Sequence, residues 1–155
     1  MALTILGALL VPAGAAGMPG RPQRAGAHAL LDVPYVSQTP DLCGGAAVSM
    51  VLRYWGERDV FAQDFAPLVG AGAGGIVTGV LASAVRARGW QAIVLPAGDG
   101  TARTTVELEI DRGRPVIALI EVAPRTYHYV VIVGTTAFIV LLTEFTSNTA
   151  SAALL

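Results

Sequence analysis

A chain of 155 residues has the length of one domain and is long enough to bury a core without disulfides or metals. Apolar residues make up 54% and charged residues 14%, against roughly 25% charged in ordinary soluble domains, which excludes an intrinsically disordered chain. Ten basic residues, all arginine, balance eleven acidic ones to a net charge of −1 with no basic run, so a nucleic-acid binder is not expected; the single cysteine excludes an intrachain disulfide and a multi-cysteine zinc site.

Residues 1–20 carry no charge, and 2–11 (ALTILGALLV) form an apolar run of ten. A bilayer span needs about 20 apolar residues, and Pro12, Gly14, Gly17, Pro19 and Gly20 stop this one short. The run fits a signal-peptide core, with Ala-x-Ala sites at 25–27 and 13–15, although no positive charge precedes it. The other reading is a plain apolar leader. Residues 17–29 are rich in Gly, Pro and Ala and read as a linker. The expectation is a leader and linker over 1–29, a folded domain over 30–144 and an uncertain tail over 145–155, the mature chain being exported to the periplasm or medium. A second uncharged stretch, 126–143, holds His128, Gly134, Thr135 and Thr136, and two buried strands about a turn explain it better than a helix in lipid. No stable membrane span is therefore expected in the mature chain.

Along the folded region, 31–36 is extended because Pro34 restrains Val33, and 37–42 is loop with Pro40-Asp41 as turn chemistry. Apolar residues at 46, 47, 50, 51, 54 and 55 predict a helix over 43–55 that Gly56 ends. A shorter helix over 60–69 breaks near Pro67, and 70–75 (GAGAGG) is a loop. That loop lacks the Lys-Ser/Thr of a phosphate loop and no clear strand precedes it, so nucleotide binding is not expected. A third helix spans 76–88 and a strand 90–95. A helix over 104–112 carries Thr104 and Glu107 at capping-box spacing. Strands follow over 116–122, 127–133 and 137–143. Helices first and then mainly antiparallel strands define an α+β domain.

Cys43 stands at the predicted start of the first helix. There the helix dipole and the amides of the first turn favour thiolate over thiol. Taken alone, a single cysteine is a small buried hydrophobe. His128 is the one histidine of the folded region, on a strand whose alternation sets it on the face opposite Tyr127 and Tyr129. Together they form a candidate nucleophile–base pair, imidazolium holding the sulfur ionised. Gln38, five residues before the cysteine, is a candidate donor to an oxyanion, with the Cys43 backbone N–H as the second. Taken singly it is a solvated loop residue. Met50, Tyr54 and Trp55 read as packing, Asp41 as a turn residue, and Tyr127 and Tyr129 as structural. No pair of carboxylates is set for acid–base work, and no cofactor or metal is expected.

The stretch VPYVSQTPDLCGGAAVSMVLRYWG (33–56) resembles the start of the C39 peptidase domain, a branch of the papain-like cysteine peptidases. RGRPVIALIEV (112–122) and HYVVIVG (128–134) resemble the strand pair that carries that family's histidine. The likeness extends over roughly Val33 to Glu144, with a G-I-x-x-x-x-L helix between. It implies a papain-like fold, with N-terminal helices on a mainly antiparallel sheet. It makes Cys43 the nucleophile, His128 the general base and acid, and Gln38 the oxyanion donor. The family's histidine is oriented by an Asp or Asn after the next strand. Here Glu144 stands sixteen residues beyond His128 and Asn148 twenty, without the proline that often follows. The implied substrate is a peptide or protein, an export leader among the candidates, since in bacteriocin exporters this domain cuts leaders after a Gly-Gly pair. Two other readings stand beside it. One is a catalytically weak C39-like module that binds a peptide or partner. The other is a different thiol hydrolase of transglutaminase-like or NlpC-like type, which shares the order cysteine then histidine.

Overall fold

The computed structural model describes residues 7–12, 30–39, 41–71, 74–95, 102–134 and 140–142. Five strands form one sheet in the order β2-β1-β3-β4-β5, each neighbouring pair antiparallel. The strands are β1 (Gly7–Pro12), β2 (Trp90–Leu95), β3 (Val116–Ala123), β4 (Thr126–Ile132) and β5 (Val140–Leu142); the helices are α1 (Cys43–Tyr54), α2 (Thr78–Ala87) and α3 (Ala102–Asp111), with a 3-10 segment at Ala62–Leu68.

The alternation of β3 and β4 sorts two cores onto the two faces of the sheet. Ile117, Tyr129, Val131 and Val133 join α1, the 3-10 segment and α2 in one cluster. Val116, Ala118, Val130 and Ile132 join Val106 and Ile110 of α3 in the other. A period-two strand buried on both faces reads as a continuous apolar run, as VIAL and YVVIV do. The result is an α+β domain, as the element order predicts.

α1 departs from a simple amphipathic helix. All ten residues from Cys43 to Leu52 are buried, because the sheet lies on one side and the 3-10 segment and α2 on others. Small residues on its first turns make this packing fit: a Cβ on Gly45 would lie 2.7 Å from the Ala62 carbonyl oxygen. Met50, Val51 and Leu52 are fully buried, and side chains of this size contribute about 1.5–3 kcal/mol each on burial. The polar ends are tied down too. The Tyr54 hydroxyl donates to the Gly113 carbonyl at 2.9 Å. Arg88, at the end of α2, meets Glu57 at 2.9 Å and lies over the Phe65 ring, and the Trp90 indole donates to the same Glu57 at 2.8 Å. Behind the sheet, the buried Glu109 takes Arg112 at 2.8 Å and Arg114 at 3.1 Å. A carboxylate buried there without those cations would be costly.

Three sequence expectations change. A strand precedes the helices: Gly7–Pro12, which takes in the second half of the apolar run read as a leader core, forms β1 and pairs with β2 from Gly7↔Leu95 to Pro12↔Trp90. It also meets β3 at Ala8↔Ile117. The third helix begins at Thr78 rather than 76, with Val77 extended. α3 begins at Ala102, so Thr104 lies inside the helix and does not cap it. Of the last predicted strand, 140–142 is described as β5.

Candidate active site

The loop before α1 is built to deliver Cys43. Leu31 donates to the Val133 carbonyl at 2.8 Å and fixes the incoming segment beside the end of β4. Leu42 donates to the Thr39 carbonyl, and Asp41 between them takes a left-handed φ of 68°, which aspartate tolerates better than most residues. Asp41 is thus the turn residue that its sequence context predicts. Helical bonding begins with the Ala46 N–H to the Leu42 carbonyl, Leu42 offers no side-chain cap, and the first turn holds no acidic residue. The positive end of the helix therefore bears on the Cys43 sulfur without a carboxylate to offset it, and favours its thiolate.

Cys43 is buried and lines a cavity of about 390 Å³. Its walls come from three places: the segment 74–78 that leads into α2, Leu119 of β3, and residues 125–127 and 129 at the β3–β4 turn and along β4. This is the size range of ligand pockets. Tyr129 joins the walls together. Its ring faces Gly44, where a Cβ would lie 3.1 Å from the ring edge. Its hydroxyl donates to the Ile76 carbonyl at 3.2 Å and lies 2.6 Å from the Thr78 hydroxyl. With the phenol proton given to Ile76, Thr78 donates to Tyr129. Burial pushes the Tyr129 phenol above its ordinary value, the Thr78 bond pulls the other way, and the negative charge available to Cys43 raises it further. Tyrosine and cysteine are thus within electrostatic reach of each other.

His128 is half-buried on β4, paired with Ile120 of β3. Alternation sets it in the row of Val130 and Ile132, on the face of β4 opposite the row of Tyr127 and Tyr129 that lines the cavity. The described geometry thus brings Cys43 to Tyr129, with His128 one position away on the same strand. Gln38 is half-buried in the loop, and its side-chain oxygen is buried with no hydrogen-bond partner among the described residues. An amide held that way costs about 1–3 kcal/mol. Glu144 and Asn148 lie outside the described residues.

From the sequence Tyr129 reads as structural, and Thr78 and Arg125 carry no signal of their own. Only the packing of α1 and the start of α2 against the β3–β4 hairpin, a long-range property, brings these into one wall. The alternating aromatic pair Tyr127 and Tyr129 beside a histidine was the one local signal.

Among the described residues, no group of three or more His, Cys, Asp or Glu side chains is placed to hold a metal, and no helix is long and apolar enough to cross a membrane.

A helix that begins on a buried cysteine, laid across an antiparallel sheet with a cavity at the sulfur, defines a thiol-bearing α+β domain. The chain belongs to the peptidase C39-like family, whose model matches residues 30–141. That span runs from the first residue of the loop before α1 into β5. No curated protein and no solved structure matches the chain.

Proposed function

We propose that this domain is a papain-like cysteine peptidase acting through Cys43 and His128. The observation that carries the reading is the placement of Cys43 at the start of α1, where no side chain caps the helix, in the wall of a cavity that the β3–β4 turn and β4 complete. The Cys43 thiolate attacks a peptide carbonyl. The resulting oxyanion takes hydrogen bonds from the Gln38 amide and the Cys43 backbone N–H. His128, protonated in the resting pair, gives its proton to the leaving amine. It then takes a proton from water as that water releases the acyl group from the sulfur. In this reading Glu144, or Asn148 in its stead, orients the imidazole.

The rate of Cys43 alkylation by iodoacetamide between about pH 4 and pH 10 tests the pair. The expected result is a reactive plateau reaching well below pH 7 that His128→Ala removes. A single rise near the free-thiol value of about 8.5, identical in both proteins, rejects a thiolate–imidazolium pair.

The second reading, a peptide-binding module without catalysis, gains from one observation: the β4 residues in the cavity wall are Thr126, Tyr127 and Tyr129, and His128 is not among them. Export through the apolar run at 2–11 also belongs to the reading. The same run supplies β1, so cleavage near 25–27 would leave β2 and β3 without the strand between them. The N-terminal mass of the chain recovered outside the cell tests this, and an uncut chain there rejects cleavage.

A further inference from the structure

We infer that the cavity beside Cys43 takes a peptide by one of its carboxylates, held by Arg125. This rests on the peptidase reading and names the substrate class of the same site.

Arg125 occupies the two-residue turn between β3 and β4. Ala123 pairs with Thr126 across it. Pro124 fixes its own φ near −65°, and Arg125 takes a φ of 62°. Proline followed by a left-handed residue is the type II arrangement, whose second central position favours Gly or Asn. An arginine there is strained. The turn holds it by its backbone: the Arg125 N–H donates to a Glu121 carboxylate oxygen at 3.0 Å. The guanidinium is left for other work. Among the described residues no carboxylate forms an ion pair with it. Among the described residues lining the cavity, Arg125 alone carries a fixed charge.

Part of the wall is apolar and open, beside the hydroxyls of Thr78, Thr126, Tyr127 and Tyr129. Val77 is 61% exposed and Tyr127 53% exposed, and both line the cavity together with Leu119. Apolar surface at the mouth accommodates a peptide's side chains, and a lone guanidinium at the rim gives it a bidentate carboxylate anchor. The carboxylate can come from an acidic side chain or from a free C-terminus, which present the same two oxygens.

The test uses the full chain carrying Cys43→Ala, so that binding is read without turnover. The probes are alanine–leucine hexapeptides labelled at the N-terminus with an uncharged boron-dipyrromethene dye, one carrying a glutamate and its twin a glutamine, each as free acid and as C-terminal amide. Polarisation titration is expected to show about tenfold tighter binding where a carboxylate is present. A preference that follows the glutamate identifies a side-chain carboxylate; one that follows the free acid identifies the C-terminus. Arg125→Gly in the same background is expected to abolish the preference while raising Tm by a few degrees, because glycine relieves the left-handed turn. Arg125→Lys keeps the charge and retains part of the preference. Equal binding of all four peptides, no binding of any, or a preference that survives Arg125→Gly overturns the inference. Hydrolysis by the unmodified chain is assayed separately. A carboxylate preference without hydrolysis counts against the peptidase reading alone, and hydrolysis without preference counts against the carboxylate anchor alone.

Discussion

Cys43→Ala is expected to lower peptide hydrolysis by about 10⁴-fold, and His128→Ala by a comparable factor, with the double variant no worse than either single one. Nucleophile and base act as a unit. Removing one leaves the other with nothing to do, so their effects do not add. What remains in all three is whatever positioning and oxyanion stabilisation contribute alone. Gln38→Ala is expected to cost about 10²-fold, the usual effect of losing one oxyanion donor, and to spare the alkylation plateau, since the amide does not set the thiol's ionisation. Initial rates on a quenched fluorescent peptide measure all four proteins. The outcome that matters most is His128→Ala. Tyr129 shares the cavity wall with Cys43 and lies within its electrostatic reach, whereas His128 belongs by alternation to the opposite face of β4. If His128→Ala keeps the full rate while Cys43→Ala has none, the thiol is activated by the α1 terminus and another group, and His128 is not the base. If Cys43→Ala itself retains the rate, the peptidase reading fails and the binding-module reading takes its place.

The parts of this fold legible in the sequence are those governed by local periodicity. The 3-4 spacing from Ala46 to Trp55 marks α1, and the apolar runs around Ile117 and Val131 mark β3 and β4. Their order alone gives the α+β class. Elements fixed by long-range pairing carried no such mark. The run at 2–11 has the composition of an export core and equally of a buried strand. What makes it β1 is its register against Trp90–Leu95, which lies some eighty residues away and which no local pattern announces. Thr104 and Glu107 have capping-box spacing, yet α3 already begins at Ala102; local signals at a helix start are ambiguous by a turn when two threonines adjoin. The site divides the same way. In the sequence Cys43 stands out by its place at a helix start, His128 as the one histidine of the folded region and Gln38 as the loop amide before the cysteine, while the roles proposed for them come from the resemblance; Asp41 is legible from turn chemistry. Thr78, Arg125 and Tyr129 became visible as one wall only once α2, the β3–β4 turn and α1 were assembled around the cavity.

Two adjacent glycines on α1 separate packing from function in the same way. Gly45→Ala is expected to destabilise the fold by about 2–3 kcal/mol, the cost of overpacking a rigid site. The new Cβ would lie 2.7 Å from the Ala62 carbonyl oxygen and 3.0 Å from the Phe65 Cβ. Neither atom can turn aside by a side-chain rotation, so the whole 3-10 segment must retreat, and Phe65, 1% exposed, loses its seat in the core. Alanine's better helix propensity returns less than about 1 kcal/mol. For a chain of this length that net loss corresponds to a Tm drop of about 4–10 °C. Gly44→Ala meets softer neighbours: a Leu81 methyl at 3.1 Å and the edge of the Tyr129 ring at 3.1 Å. A methyl can rotate and a ring can tilt, so Tm is expected to stay within about 2 °C. The cost appears in the cavity instead. Tilting Tyr129 strains its bonds to Thr78 and Ile76, which hold the wall opposite the sulfur. The alkylation rate of Cys43 is therefore expected to change in Gly44→Ala at unchanged stability. Thermal melts and alkylation rates on the two variants check both statements. Equal stability of Gly45→Ala and the parent chain would show that the 3-10 segment yields freely, and an unaltered Cys43 rate in Gly44→Ala would show that Tyr129 does not set the shape of the site.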